Sequence, residues 1–325
     1  MFEYLFLIVG IFLLLKGANY LVDGASIFAQ KIKVSALIIG LTIVAFGTSM
    51  PELIVNIFAT LKNSNGIILG NIIGSNLANI LLVFGICAII YQIKLKKTTI
   101  WKELPFSVLA VVLLLIFTNY FIIDSIVQNK ILRIHGLIML LFFIIFLYYV
   151  FEIAKKDRES FKEITNNIDK KIVEFSNTKT FFLIIIGIIS LYFGGKLTVQ
   201  GAIIISQNLG ISEFLISATI IAIGTSLPEL ITAIVAIMKK KVNLAVGNII
   251  GSNIFNILWV LGITSIIKPI AFPEFIFIDL MALLIASFVL FTFMFIGNKH
   301  SIDKWQGVLL ILIYILYVSY IIYRG

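Results

Sequence analysis

The sequence predicts an all-α membrane protein of ten transmembrane helices, arranged as two inverted five-helix repeats whose broken helices meet at the membrane midplane. Three observations lead to this fold class. The composition is that of a membrane protein, since 61% of the 325 residues are hydrophobic and 13% are charged, about half the charged fraction of a typical soluble domain. Ten apolar runs follow one another along the chain, and its two halves share a pair of polar motifs.

Each apolar run is about 20 residues long, the length a helix needs to cross a hydrocarbon core about 30 Å thick. The runs lie at 2–22, 34–60, 66–90, 101–122, 131–152, 181–203, 211–238, 243–267, 273–296 and 305–323. The first run is expected to be a retained span and not a signal peptide, because it has neither a basic segment before it nor a small-residue cleavage site.

The distribution of basic residues predicts that both termini lie outside. In this orientation the inner connections carry 18 lysines and arginines and the outer ones carry five, as the positive-inside rule requires. The net charge of +9 is spread over these short connections and forms no single basic region, so nucleic acid is not expected as a partner.

One long polar segment divides the chain. Residues 1–153 are predicted to form the first repeat, 154–180 a cytoplasmic linker and 181–325 the second repeat. Apolar residues recur at helical spacing within the linker, so a short amphipathic helix on the inner membrane surface is an alternative to a solvated connection. These apolar residues are Phe161, Ile164, Ile168, Ile172 and Phe175.

A repeat with a fixed offset of 177 residues relates the two halves, and it is strongest in the second and third spans of each. Without a gap, 25 of the 46 positions between Gly40 and Gly85 are identical to those between Ser217 and Gly262. The shared runs read GTSMPEL and GNIIGSNLANIL in the first half, and GTSLPEL and GNIIGSNIFNIL in the second. Because each half has five spans, an odd number, the second half is expected to be inverted, as in many secondary transporters.

Weaker matches upstream pair glycines of the first span with glycines of the sixth. Gly17 and Gly24 correspond to Gly194 and Gly201. Glycines seven residues apart share one helix face, where they permit either close packing or sliding.

Each half also carries one glutamate deep inside an apolar span. Glu52 and Glu229 would each cost about 2.5 to 3.5 kcal/mol to insert at the centre of a membrane helix, so something must compensate them. Pro51 and Pro228 lack the N–H group that a helix would use to bind the carbonyl four residues earlier. The sequence therefore predicts a broken helix beside each glutamate, which is tolerated in a membrane where it is buried or lines a wet cavity.

Hydroxyl and amide side chains accompany the two glutamates. Ser75 and Asn79 are four residues apart and share a helix face, as do Ser252 and Asn256. All the atoms that these side chains offer as metal ligands are oxygens, and such a set of ligands favours hard cations such as Ca²⁺ or Na⁺. The candidate ligands are Thr48, Ser49, Glu52, Ser75 and Asn79 in the first half and Thr225, Ser226, Glu229, Ser252 and Asn256 in the second.

Other chemistries have little support in the sequence. The single cysteine, Cys87, excludes an internal disulfide and a thiolate metal cluster, and His135 and His300 have no partner at metal-ligand spacing. Ser49 and Ser226 have no histidine or lysine base at a plausible spacing, so an enzyme is not expected. The GNIIG runs lack GxGxxG spacing, which argues against a phosphate-binding loop. No cofactor is predicted beyond the transported ions.

The paired GTSxPEL and GNIIGSNxxNIL motifs resemble the two alpha repeats of the sodium/calcium exchanger family, prokaryotic type, within the cation/calcium exchanger superfamily. The resemblance implies that the candidate ligands other than Asn256 coordinate cations, and that main-chain oxygens of Ala45 and Ala222 contribute to flanking Na⁺ sites. It also implies a core of eight helices across which the first and sixth spans slide.

Two positions bear on which ion drives transport. Family members often carry aspartate where this chain has Asn256, which leaves two central carboxylates instead of three. Proton/calcium exchangers usually have an acidic residue in their GN-containing motif, where this chain has Ile73 and Gly74. The resemblance therefore places Na⁺ ahead of H⁺.

The function expected from the resemblance is a secondary active antiporter that exchanges Na⁺ for Ca²⁺ by alternating access. It is expected to work as a monomer in the cytoplasmic membrane of a prokaryote, with Ca²⁺, Na⁺ and the lipid bilayer as its partners. A Ca²⁺/H⁺ or other cation/Ca²⁺ antiporter is the alternative. A cation channel is a further one, although an ion site in broken helices of an inverted repeat fits alternating access better.

Overall fold

The computed structural model describes residues 2–118, 130–165, 176–208, 222–272 and 276–324, and these residues are almost entirely helical. Twelve helices occur among them: α1 (Phe2–Ile32), α2 (Ala36–Thr48), α3 (Met50–Leu61), α4 (Asn65–Ile90), α5 (Thr99–Thr118), α6 (Arg133–Thr165), α7 (Asn177–Asn208), α8 (Ala222–Thr225), α9 (Leu227–Met238), α10 (Val242–Ile267), α11 (Ile276–Phe293) and α12 (Lys304–Arg324). Short π-helical segments interrupt α2, α4 and α10 and begin α5.

The prediction of a multi-pass helical membrane protein is confirmed. Within the described residues, eight helices are long and apolar enough to cross a membrane, and the bent pair of α2 and α3 is also long and apolar enough when its two helices are taken together. The seventh predicted span, 211–238, contains the apolar helix α9, but its residues before 222 lie outside the described residues. The number ten therefore stays a prediction.

Helix α6 extends well past the predicted end of the fifth span, so the boundary at 153 falls inside a helix. The extension has a structural role, because two of its side chains bind the turn between α1 and α2. Asp157 accepts a hydrogen bond from the Ser35 backbone N–H at 2.9 Å, and Arg158 donates to the Ile32 carbonyl at 2.9 Å. Of the five apolar residues on which the amphipathic-helix alternative depends, Phe161 and Ile164 belong to α6, and the other three lie outside the described residues.

The predicted break beside Glu52 is confirmed. Helices α2 and α3 meet at an angle of 42°, and the residue between them, Ser49, has φ −86° and ψ 4°. Ser226 occupies the equivalent position between α8 and α9 with nearly the same values, φ −87° and ψ 3°. Both serines lie in the sparsely populated bridge region of backbone space, two residues before a proline.

Helices α4 and α10 form the centre of the protein, and the others surround them. The most apolar stretches of α4 and α10 are 78% and 83% buried, against 22% for α6, α7 and α12. Helix α2 crosses α10 at two glycines. A Cβ atom at Gly40 would lie 2.5 Å from the Leu244 carbonyl oxygen, and one at Gly251 would lie 2.7 Å from Ala45 Cβ. The close approach places the polar motif of the second half against the broken helix of the first.

Two short strand pairs join the halves of the chain. Strand β1 (Ile93–Lys94) pairs antiparallel with β4 (Ser301–Ile302), and β2 (Lys130–Ile131) pairs antiparallel with β3 (Ile270–Ala271). The isoleucines in each pair face each other in register and are fully buried. This pairing agrees with the predicted topology, which places β1 and β4 on the inner side and β2 and β3 on the outer side.

The connection that carries β4 is organised around one aspartate. Gly297 has φ +80°, and a Cβ atom there would lie 2.7 Å from a carboxylate oxygen of Asp303. The Asn298 side chain donates to Asp303 at 2.9 Å, and Gln92, in the connection before β1, donates to the same carboxylate. Hydrogen bonds from Asn298 lower the pKa of Asp303, so the link between the two halves persists at mildly acidic pH.

Helices α1 and α7 pack against each other through glycines, among them Gly17 and Gly194 of the repeat and Gly187, which the sequence analysis did not select. A Cβ atom at Gly187 would lie 2.7 Å from the Leu21 backbone nitrogen, and one at Gly194 would lie 2.7 Å from the Leu14 nitrogen. From the other side, a Cβ atom at Gly17 would meet the Gly187 carbonyl oxygen at 2.9 Å. These glycines hold the two helices backbone against backbone, which favours close packing over sliding at this face.

Replacement of a glycine by alanine at each of two positions, in separate variants, tests this packing. Gly187→Ala is expected to destabilise the protein by about 1 to 3 kcal/mol, because backbone atoms of α1 must move to admit the new methyl group. Gly66→Ala is the control, since nothing lies within 4 Å of a Cβ atom there and alanine favours the helix. Thermal unfolding in detergent should give a lower midpoint for Gly187→Ala and an unchanged or higher one for Gly66→Ala. Equal midpoints would contradict the packing described.

Candidate cation site

The two predicted glutamates lie in the first turns of two short helices. Glu52 is in the first turn of α3 and Glu229 in the first turn of α9, each directly after its proline. Both side chains are fully buried. The positive end of the helix dipole lies at a helix N-terminus, so each short helix favours a negative charge where its glutamate stands.

Serine hydroxyls are the hydrogen-bonding partners of both carboxylates. Ser75 lies 3.5 Å from Glu52 Oε1, and Ser252 lies 3.4 Å from Glu229 Oε1. These two contacts are equivalent by the 177-residue offset. Ser49 adds a contact between the halves, since its hydroxyl donates to Glu229 Oε1 at 3.3 Å.

The threonines of the GTS motifs contact the opposite half of the chain. The Thr48 and Ser252 hydroxyl oxygens are 3.3 Å apart, and those of Thr225 and Ser75 are 3.4 Å apart. The broken helix of each half is therefore bound to the GNIIGSN helix of the other half. Two hydrogen-bonded networks result, one at Glu52 and one at Glu229, and the two together are called the oxygen cluster below.

Several buried oxygens of the predicted site residues have no hydrogen-bond partner among the described residues. They are Glu52 Oε2, Glu229 Oε2, Ser226 Oγ, Asn79 Oδ1 and Asn256 Oδ1. Buried polar atoms are normally satisfied, and each exception requires an explanation. The described part contains no group of three or more His, Cys, Asp or Glu that could hold a metal. A cation here would therefore be held by two carboxylates together with hydroxyl and amide oxygens, which is the donor set that Ca²⁺ and Na⁺ accept.

The structure places seven of the twelve predicted residues in two hydrogen-bonded networks. Glu52, Ser75 and Thr225 form one network, and Thr48, Ser49, Glu229 and Ser252 form the other. The Ala45 carbonyl joins the second of these networks, 3.4 Å from the Thr48 hydroxyl. Asn79 instead donates to Asn253 at 3.1 Å, and neither polar atom of the buried Asn256 side chain has a partner among the described residues. Ala222 begins α8. The coordinating role of all twelve residues stays a prediction.

Two asparagines that the sequence analysis did not select belong to the cluster. Thr48 donates to Asn248 Oδ1 and Thr225 donates to Asn71 Oδ1, both at 3.0 Å. A signal for them existed, because Asn71 and Asn248 are identical at the 177-residue offset, like the serines that were chosen. They stand in the GNIIG runs, which were considered only as a possible phosphate loop.

Access to the cluster differs on the two sides of the protein. On the predicted outer side, a cavity of about 480 Å³ has Lys62 and Gln200 among its lining residues and reaches Thr225. The equivalent position on the predicted inner side is bridged by an ion pair, in which Lys239 Nζ, after α9, lies 2.8 Å from Asp23 Oδ1 of α1. By the 177-residue offset, Lys239 corresponds to Lys62 and Asp23 corresponds to Gln200, which carries no charge.

A model of the sodium/calcium exchanger protein family matches residues 2–152 and 179–323, nearly the whole chain. The chain belongs to the sodium/calcium exchanger family. Families of this kind consist of membrane exchangers and not of enzymes. The family resemblance stated from the two motifs is thus confirmed.

Relatives of the exchanger match it over most of their length. It is 38% identical to the putative antiporter CaxA of Alkalimonas amylolytica over 82% of this chain and 81% of that protein. It is 29% identical to the sodium/calcium exchanger MaX1 of Methanosarcina acetivorans over 99% of both. Among solved structures, the sodium-calcium exchanger NCX_Mj superposes with a TM-score of 0.81 at 30% identity over 98% of both chains.

Proposed function

We propose that this exchanger is a secondary active antiporter that moves Na⁺ and Ca²⁺ in opposite directions by alternating access. The observation that carries the proposal is the pair of fully buried glutamates, Glu52 and Glu229, within the oxygen cluster to which both halves of the chain contribute. The ten predicted site side chains, with the main-chain oxygens of Ala45 and Ala222, are its proposed cation ligands. The names of MaX1 and NCX_Mj, a sodium/calcium and a sodium-calcium exchanger, support the choice of ions.

The charge of the site explains why transport would be an exchange. With both glutamates ionised, the site has a formal charge of −2, which one Ca²⁺ or two Na⁺ ions neutralise. Leaving two carboxylates without a cation inside the membrane is costly. The protein with an empty site therefore changes slowly between its outward-facing and inward-facing states. One ion has to replace the other before that conformational change occurs.

The proposal includes the ten-helix inverted repeat, with both termini outside, in the cytoplasmic membrane of a prokaryote, and transport by a monomer. Alternating access requires that the site be reached from one side at a time. The outer cavity that reaches Thr225 and the Asp23–Lys239 ion pair on the opposite side correspond to an outward-facing state.

The first prediction from the proposed function concerns the ion that drives transport. In proteoliposomes loaded with Na⁺, an outward Na⁺ gradient is expected to drive Ca²⁺ uptake, because Na⁺ leaving the site frees it for Ca²⁺. Vesicles loaded with K⁺ or with a proton gradient of equal size serve as controls. Full uptake driven by protons without any effect of Na⁺ would establish a Ca²⁺/H⁺ exchanger, and uptake rates far above carrier turnover would indicate a channel.

A second prediction tests the two glutamates against a third buried carboxylate. Loss of an outer-shell partner alone typically costs about 10- to 100-fold in metal affinity, so Glu52→Gln and Glu229→Gln are each expected to weaken Ca²⁺ binding by at least that factor. Glu103 is equally buried but is hydrogen-bonded to Tyr149 of α6, so Glu103→Gln should bind Ca²⁺ normally. Calorimetric titration of the three purified variants decides the question. A glutamate variant that matches Glu103→Gln would mark its carboxylate as structural.

A third prediction concerns the inner ion pair. Val55 lines the outer cavity, and Thr232 is its equivalent by the 177-residue offset. In a Cys87→Ala background, Val55→Cys should react readily with a water-soluble thiol reagent and Thr232→Cys slowly. Asp23→Asn should speed the labelling of Thr232→Cys by about 1.5- to 5-fold, the effect of losing one partly exposed ion pair. Lys62→Gln, on the outer side, should leave that labelling rate unchanged. An unchanged labelling rate of Thr232→Cys in the Asp23→Asn variant would show that the ion pair does not close the inner side.

A further inference from the structure

Two threonine hydroxyls of the site give their protons to asparagines in the opposite half of the chain. Thr225 Oγ1 lies 3.0 Å from Asn71 Oδ1, and Thr48 Oγ1 lies 3.0 Å from Asn248 Oδ1. The asparagines are outside the set of residues predicted to coordinate cations. Both stand on the central helices α4 and α10, which are the most buried spans of the protein.

A hydroxyl has one proton and two lone pairs, so its orientation decides what it offers to an ion. A hydroxyl whose proton points at a cation repels it, whereas one whose proton is bound elsewhere presents lone pairs. An amide oxygen opposite the threonine accepts that proton and fixes the favourable orientation before an ion arrives.

The amide of Asn71 is itself held in place. Its Nδ2 donates to Asn56 Oδ1 at 3.2 Å, and Asn56 is fully buried on α3. Because the nitrogen is bound to Asn56, the oxygen of the same amide has to face Thr225. Asn56, Asn71 and Thr225 thus form a chain of hydrogen bonds that ends at the site.

The second half lacks an equivalent of Asn56, the first member of this chain. The position equivalent to Asn56 is Ala233, which cannot accept a hydrogen bond through its side chain. Accordingly, Asn248 Nδ2 is buried without a partner in the described part of the protein. Asn248 can bind Thr48, but no side chain at position 233 fixes the direction of its amide.

We infer that Asn71 and Asn248 are positioning residues of the cation site, each turning the lone pairs of a threonine hydroxyl toward the ion, and that Asn56 locks this arrangement in the first half only. The inference rests on the proposed function insofar as the ion is the transported cation. The two halves of the site are then unequal, with Thr225 held ready for the ion and Thr48 oriented less firmly.

A double-mutant cycle on the full-length protein tests the inference, with Ca²⁺ binding measured by calorimetry. Asn71→Leu is expected to weaken binding about 3- to 10-fold, the worth of one hydrogen bond. In a Thr225→Val background, which has no hydroxyl to orient, Asn71→Leu should change binding by less than about twofold. An equal loss in both backgrounds would overturn the inference, because Asn71 would then act independently of Thr225.

A second arm decides the question even if Thr225→Val binds no Ca²⁺. Asn56→Ala gives the first half the arrangement of the second and should weaken Ca²⁺ binding about 2- to 5-fold. Thr60→Val is the matched control, since Thr60 is buried on the same helix and donates only to the Asn56 main-chain carbonyl; its binding should stay within about twofold of the parent.

The outcomes separate this inference from the proposed function. Normal binding by Asn56→Ala, or equal losses in Asn56→Ala and Thr60→Val, would overturn the inference while leaving Ca²⁺ binding by the parent intact. A parent protein that binds neither Ca²⁺ nor Na⁺ would refute the proposed function and the inference together. Unchanged thermal midpoints across the variants would show that the affinity changes do not come from unfolding.

Discussion

Two carboxylates placed inside a membrane are the constraint on which the rest of this structure depends. Glu52 and Glu229 are fully buried, at a depth where a charge is expensive unless it is compensated. Each broken helix offers part of the compensation, because it starts a new helix whose positive end lies at the glutamate. Hydroxyls on α4 and α10 offer another part, since Ser75 and Ser252 contact the carboxylates. The glycines where α2 crosses α10 allow the close approach at which Thr48 contacts Ser252.

The centre of the protein could be predicted from sequence because its signals are local. A proline, a glutamate and neighbouring hydroxyls within one apolar span indicate a broken helix with a buried charge, and the repeat shows that the pattern occurs twice. Contacts between the halves could not be predicted in the same way. That Thr48 faces Asn248, or that Ile93 faces Ile302, depends on how distant helices cross, and no spacing along the chain encodes it. The continuation of α6 was missed for a different reason, since its end is charged and resembles a linker although it binds the turn after α1.

The two halves are similar in sequence but differ in how their polar groups are satisfied. Asn79 reaches Asn253, whereas Asn256, its equivalent, has no partner among the described residues. Asn71 is held by Asn56, whereas Asn248 Nδ2 has no partner among the described residues, and the equivalent of Asn56 is Ala233. The ion pair of Asp23 and Lys239 has no charged equivalent at Gln200. These unequal contacts are points at which a nearly symmetric scaffold differs between its two halves.

The strand pairs also determine when the protein can finish folding during synthesis. Strand β1 leaves the ribosome early, but its partner β4 lies about 200 residues later, between the last two helices. Likewise, β2 of the first half waits for β3 of the second. A first half on its own would leave the backbone groups of Ile93 and Ile131 unpaired. Each half therefore completes the other, and a chain that ended before β3 would carry two unpaired strand edges, which are templates for pairing with other chains.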